Sequence, residues 1–258
     1  MVLGVWGCTA AAFGVQVVAG AVAVALQTEK FFDLVGSLTY ALLVYLTYPG
    51  VGAASVQATL VSGAVLLCRV YLSGFLFYRV LHHNGDRRFA KVKKNPKRFF
   101  FFWIMQGLWT IVTFLPVIFV NTATTSTSDA QLQPIDMLGL VVFAVGLVIE
   151  VVADVQKFSF RSHAANADKF ITTGLWSISR HPNYFGEILV WVGIYIASFS
   201  VLSGWQHVAV ASPLFTVWLL TSVSGIPILE RMANKRWGAL PEYVAYRDST
   251  AVLIPFVW

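Results

Sequence analysis

Four charged residues stand in line at the end of an apolar run. Glu150, Asp154, Lys157 and Arg161 follow one another at intervals of four, three and four, which on a helix is a single stripe. Two acids precede two bases, and Glu150 lies about two helical turns inside the apolar stretch. A carboxylate at that depth in a membrane is costly unless paired, and points to a site that binds or reacts. The other reading is a salt-bridged stripe locking two helices together. Arg69 raises the same question, with VSGAVLLC before it and VYLSGFLF after it. It cannot easily reach water and calls for an internal carboxylate; Glu150 and Glu187 are the candidates.

The densest concentration of chemistry is Ile171 to Tyr195, ITTGLWSISRHPNYFGEILVWVGIY. Arg180, His181, Asn183, Tyr184 and Glu187 gather donors and acceptors where an apolar helix begins, with Asn183 and Glu187 on one face. Trp, Tyr and Arg suit any interfacial turn, but His, Asn and Glu converging with them make a docking place for a polar ligand head. The tail, ERMANKRWGALPEYVAYRDSTAVLIPFVW, adds Glu230, Arg231, Tyr243 and Tyr246. It reads either as a helix lying on the lipid surface or as a lid over a pocket.

The elements holding these residues follow from composition. Of 258 residues, 57% are hydrophobic and 12% charged, about half the charge of a soluble domain. That excludes an ordinary water-soluble enzyme and a disordered chain. At about 20 residues per crossing, the sequence predicts an all-α, single polytopic membrane domain over 1–258. Its seven spans are placed near 2–26, 34–54, 57–81, 99–120, 135–156, 184–202 and 208–229, with a break expected at Pro49-Gly50. The N-terminal run has no basic leader and is read as a first span, not a cleaved signal. Arg79 to Arg98 holds eight of the 18 Lys and Arg, and more bases follow spans five and seven, whereas NTATTSTSDAQLQP holds none. The positive-inside rule then puts the basic loops and the C-terminus on the cytosolic side and the N-terminus opposite.

Other chemistries drop out. Cys8 and Cys68 sit in apolar runs, so no disulfide framework or metal site is expected. His82-His83 point apart on a helix. There is no GxGxxG after a strand and no Walker loop. The charge of +6 marks membrane sidedness, and no nucleic-acid partner is expected.

The quoted segments GLWSISRHPNYFGE and SGIPILERMANKRWGALPEYVAYRDSTAVLIPF, together with EVVADVQKFSFR, YRVLHHNGDRRF, FFFFWIMQGLW and KFFDLVGSLTY, closely resemble the steroid 5-alpha-reductase C-terminal domain. More narrowly, they look like the uncharacterised membrane proteins grouped with that domain. The resemblance runs from about residue 30 to the end. The RHPxYxG core is shared with isoprenylcysteine carboxyl methyltransferases and sterol reductases. The likeness implies seven spans and NADPH held between cytosolic loops and the last spans. Residues 1–120 would form the substrate side and 135–258 the cofactor side. Carried over, Asp154, Lys157 and Arg161 would hold the cofactor from span five, and Asn183 and Glu187 from span six. Arg180, His181 and Tyr184 lie in the same motif; Glu230, Arg231, Tyr243 and Tyr246 belong to the covering tail. The family's span-two glutamate has no counterpart, because LVGSLTYALLVYLTYPGVGAA holds no acid. Tyr40, Tyr45, Tyr48, Tyr71 and Tyr78 are then the candidates to polarise a substrate carbonyl, with no basis for choosing among them.

The leading expectation is an NADPH-dependent reductase of a lipid or steroid-like carbon–carbon double bond; the alternatives are an S-adenosylmethionine-dependent membrane methyltransferase and a non-catalytic lipid- or nucleotide-binding subunit of a larger membrane complex. Membrane lipids and a lipophilic substrate are the expected partners. The endoplasmic reticulum or another organelle membrane is the expected location.

Overall fold

The computed structural model describes residues 2–50, 53–82, 89, 92–123 and 132–257. Arg87, Arg88, Lys91, His83 and most of NTATTSTSDAQLQP lie outside them. Within them the chain is all-helical, without strands. Nine α-helices follow in order: α1 (Val5–Leu26), α2 (Phe32–Thr47), α3 (Val56–His82), α4 (Pro96–Thr122), α5 (Pro134–Ser162), α6 (Pro182–Ala197), α7 (Ala211–Trp218), α8 (Ile226–Trp237) and α9 (Pro241–Ser249). Among the described residues, five helical stretches are long and apolar enough to cross a membrane: Val5–Leu26, Val56–Val80, Pro96–Thr122, Pro134–Ser162 and Gly204–Trp237. A shorter apolar helix spans Phe32–Thr47. The chain is a multi-pass membrane protein.

The local stops are written in the residues. Helix α2 ends at Thr47, and Gly50 takes a left-handed φ of 98°, so the expected break at Pro49-Gly50 is present. Helix α4 starts with Asn95 as cap, its side chain accepting from the Arg98 N–H at 3.1 Å, and with Pro96 in the first turn, the standard chemistry of a helix start. Two elements differ from the sequence expectation. Helix α6 stops at Ala197, short of Leu202. The span expected over 208–229 lies inside the apolar stretch Gly204–Trp237 but is not one regular α-helix, since α7 passes into a π-turn over Leu219–Val223 and α8 begins afresh at Ile226. Gly225 sits at the break, where a Cβ would come 2.5 Å from the Leu220 carbonyl oxygen. Pro227 in the first turn of α8 has no N–H to continue the earlier helix.

The helices pack as two compact units, Met1–Met137 with Ile194–Ser212, and Leu138–Gly193 with Pro213–Trp258. The first is tied by hydrogen bonds between helices. Gln16 donates to Thr39 at 2.9 Å, and Asn121 reaches both Thr47 and Ser62 at 3.0 Å. Tyr40 and Thr113 are 2.6 Å apart; Thr113 gives its own proton to the Trp109 carbonyl at 2.8 Å, so Tyr40 is the donor. In lipid, where apolar packing has no water to exclude, such bonds supply register between helices.

The second unit is built on direct backbone contact. Helices α5 and α6 run antiparallel. A Cβ at Gly186 would lie 2.6 Å from the Glu150 nitrogen, one at Gly146 2.7 Å from the Val190 nitrogen, and one at Gly193 would overlap the Phe143 backbone. Small residues repeat every seven positions on each helix, Gly139, Gly146 and Ala153 against Gly186 and Gly193, so the seam persists over several turns. The opposite face of α5 exposes Leu138, Val141, Val145, Val148, Val152 and Val155, an apolar stripe suited to lipid.

The seam gives a direct test. Gly186→Ala and Gly193→Ala should each lower the thermal stability of the detergent-purified protein, by about 1–3 kcal/mol as overpacking does. Gly63→Ala and Gly74→Ala, where a Cβ meets nothing within 4 Å, should leave the melting curve in place.

Candidate functional site

The α5–α6 seam decides which polar residues meet. Because Gly186 rests on the backbone of Glu150, the next antiparallel step brings Asp154 to Asn183, whose amide donates to the Asp154 carboxylate at 3.1 Å. One turn along α6, the Glu187 carboxylate accepts from the Trp191 indole at 2.9 Å. Glu150, Asp154 and Glu187 are all buried. Helical periodicity anticipates their shared faces, while the antiparallel register supplies the pairing.

The chain between α5 and α6 is folded onto α5 by Trp176. Its indole N–H donates to the Ala153 carbonyl at 3.0 Å, and the Lys157 ammonium lies 4.0 Å over its ring. Gln156 accepts from the Leu175 N–H at 3.0 Å. Gly174, at φ 62°, passes so near Gln156 that a side chain there would collide with it. The connection therefore delivers Arg180 and His181 to the head of α6 in a fixed position.

There the tail meets them. Glu230 of α8 accepts from Arg180 at 2.6 Å through Oε2, and its Oε1 lies 2.7 Å from His181 Nε2. The tail is also strapped back by its main chain and ends. The Arg180 N–H donates to the Ala251 carbonyl at 2.8 Å, and Ser179 to the Leu253 carbonyl at 2.7 Å. Tyr246 donates to the Trp176 carbonyl at 2.6 Å. Arg236 and Trp237 reach Asp168 at 2.7 and 2.6 Å. Phe170, Trp237, Tyr243 and Tyr246 close this layer as touching rings. The tail is thus fastened to the α5–α6 connection.

Electrostatics follow from burial. Desolvation pulls the His181 imidazole below its ordinary value, and its bond to Glu230 only partly opposes this, so the ring is neutral at physiological pH. Burial raises the phenols of Tyr243 and Tyr246, which stay protonated as donors. Arg247 is raised by its exposed partner Asp248.

Placed against the sequence expectations, the candidates fall into groups. Asp154 with Asn183, and Arg180 with His181, Tyr184 and Glu230, are brought together; His181 and Tyr184 stack with centroids 5.7 Å apart and planes at 10°. Tyr243 is buried within the tail and Tyr246 is half-buried there. Lys157 is drawn to Trp176. Arg161 and Arg231 are exposed. Sequence reasoning missed Trp176, Asp168 and Ser179 as fasteners, and Gly146, Gly186 and Gly193 as the seam. The seven-residue repeat of small residues was the readable signal for the glycines.

In the first unit the tyrosines separate clearly. Tyr40 is buried beneath Arg69, whose guanidinium lies 5.2 Å from its ring centroid, and its proton is committed to Thr113. Tyr45 is 80% exposed and faces outward, Tyr78 is exposed, and Tyr48 bonds Thr59 at 2.9 Å near the surface. Tyr71 stacks on Phe75. The described residues hold no cluster of His, Cys, Asp and Glu able to take a metal.

The chain is 28% identical over 208 residues, 72% of its length and 69% of the relative's, to a protein of Ustilaginoidea virens named "Probable O-methyltransferase ustE". No solved structure matches it. The family model described as "Protein of unknown function (DUF1295)" matches residues 20–250. The chain, with its RHPNYFGE helix head and strapped tail, belongs to the DUF1295 family of steroid 5-alpha-reductase-like membrane proteins.

Proposed function

We propose that the protein is a membrane methyltransferase that uses S-adenosylmethionine on a lipophilic acceptor. One observation supports this reading over a phosphate-rich cofactor: three arginines of the cover and its connection, though not the exposed Arg231, are paired with carboxylates. Arg180 is bound to Glu230, Arg236 to Asp168 and Arg247 to Asp248, and Lys157 rests on Trp176. A dinucleotide with three phosphates needs arginines and lysines to spare; a sulfonium nucleoside needs carboxylates, amides and aromatic faces. The name of the fungal relative supports the same chemistry.

The residues present fit such a ligand. Asp154 and Asn183 offer acceptors and an amide donor, Glu187 adds a buried carboxylate, and Tyr243 and Tyr246 keep their protons. Bound there, S-adenosylmethionine would supply an electrophilic methyl group. The protein's own part is to hold that ligand under the tail, keep water away, and present it to an acceptor arriving from the lipid.

Hydride transfer from NADPH to a lipid double bond is the second reading. The Asp154–Asn183 pair favours it, since it presents both the donor and the acceptor that a nicotinamide carboxamide requires, and the family's kinship with steroid reductases points the same way. Its weak point is the polarising group. Tyr40 has given its proton to Thr113, and the only acid of α2, Asp33, lies in the first turn of that helix.

We also read the chain as crossing the membrane seven times, α2 and α6 adding to the five long stretches, with the basic side cytosolic. Single cysteines at Lys94 and Ser249, in a background without Cys8 and Cys68, should then react with an impermeant maleimide from one side of sealed vesicles, and one at Val2 from the other. Labelling of all three from one side would overturn the odd number of crossings.

For the cofactor, calorimetry on the purified chain in nanodiscs should show saturable binding of S-adenosylmethionine. Asp154→Asn and Asn183→Ala should weaken it at least about tenfold, or about 1.4 kcal/mol. Binding of NADPH in its place would select the second reading. Binding of neither would leave a non-catalytic subunit of a membrane complex.

A further inference from the structure

The head of α6 carries a buried nitrogen that the fold leaves without a partner. His181 is 4% exposed, and its Nδ1 has no hydrogen-bond partner among the described residues. Most buried polar atoms in proteins are satisfied, so an exception calls for an explanation in function. Arg180 Nε, on the neighbouring residue, is likewise buried and unpartnered.

We propose that His181 is the proton acceptor of this site, its Nε2–H held by Glu230 and its Nδ1 lone pair kept for an O–H or S–H group of the methyl acceptor. The inference rests on the methyl-transfer reading and assigns the residue that reading lacks.

The geometry supplies each requirement of a base. The 2.7 Å contact between Nε2 and Glu230 Oε1 places the proton of the neutral ring on Nε2, because a carboxylate only accepts. Nδ1 is then a bare acceptor. The other carboxylate oxygen is occupied by Arg180 at 2.6 Å, so Glu230 is fixed in place. Tyr184 lies parallel to the imidazole with ring centroids 5.7 Å apart, and Ser179 Oγ accepts from the His181 backbone N–H at 3.2 Å, which fixes the main chain there. This is a base oriented by a third group, the arrangement that recurs wherever an imidazole activates a nucleophile.

Burial is the main cause that holds the ring below its ordinary value. Lys157 from α5 and Arg180 beside it both disfavour an imidazolium, Glu230 from α8 favours one, and burial outweighs the carboxylate. From α9, Tyr243 and Tyr246 bring protonated phenols toward the Glu230 and Arg180 pair. The ring also precedes the first turn of α6, whose N-terminus repels positive charge.

The step balances without any oxidant. As the acceptor oxygen or sulfur bonds to the methyl carbon, its O–H or S–H bond breaks and the proton passes to Nδ1. The electron pair of the old carbon–sulfur bond stays on sulfur, which becomes a neutral thioether. The imidazolium so formed is stabilised by Glu230, where the neutral ring was only oriented by it.

The test uses the full chain in nanodiscs with 15N-labelled histidine, the His181 signals being identified by their loss in His181→Gln. At neutral pH, Nε2 should appear protonated and Nδ1 bare; Glu230→Gln should abolish that preference and lower the imidazole pKa further. With tritiated S-adenosylmethionine and a total lipid extract as acceptor pool, His181→Gln should cut label transfer at least about 100-fold, as loss of a general base does. Its affinity for S-adenosylmethionine should stay within about threefold of the wild type. An imidazolium, an Nδ1-protonated ring, undiminished transfer, or loss of S-adenosylmethionine binding in His181→Gln would each overturn the proposal. A wild type with the expected tautomer that binds no S-adenosylmethionine would instead overturn the methyl-transfer reading, leaving the assignment of the bare nitrogen intact.

Discussion

Backbone-to-backbone contact between α5 and α6 is the constraint from which the second unit follows. Two helices approach this closely only where one of them lacks a Cβ at the point of contact, and Gly146, Gly186 and Gly193 meet that condition. In lipid such contact is worth more than it would be in water, because there is no competing gain from hiding apolar side chains. The antiparallel register it fixes is what turns Asp154 toward Asn183. A larger residue in the seam would disturb the polar pair as well as the packing.

The same economy of small parts governs the connection and the tail. Trp176 is both a wedge and a hydrogen-bond donor, and its ring carries Lys157. Gly174 adopts a left-handed conformation where Gln156 leaves no room for a side chain. The tail is held by bonds to main-chain carbonyls of the connection and by arginine–carboxylate pairs. The tail's many bonds to the connection fix it in place. Exposed ion pairs such as Arg247 with Asp248 add little to that; the half-buried Arg180–Glu230–His181 group and the ring cluster about Phe170 do most of the fastening.

The first unit uses a different device. Its helices are registered by hydroxyls and amides that reach across, at Gln16, Thr39, Tyr40, Thr113 and Asn121. This has a chemical consequence. A tyrosine whose proton already serves packing has none to give a substrate, and Tyr40 is spent in that way.

Much of this protein was legible in its residues. Composition fixes a helical membrane protein because unsatisfied backbone groups cannot stand in lipid. Pro49-Gly50 ends α2 because proline and a left-handed glycine cannot continue a helix. The stripe from Glu150 to Arg161 and the crowded segment from Arg180 to Glu187 identify the candidate site, since charge at membrane depth is too costly to be idle. Periodicity could not say which residue of one helix faces which of another, because that depends on register and approach. So only the tertiary structure separates Asp154 and Asn183 from the exposed Arg161 and Arg231, and divides the last apolar run at a π-turn. It alone brings Glu230 back to His181 across 49 residues, committing one ring nitrogen and sparing the other. A sequence records which groups a chain owns; their partners are settled by packing, which depends on contacts remote along the chain.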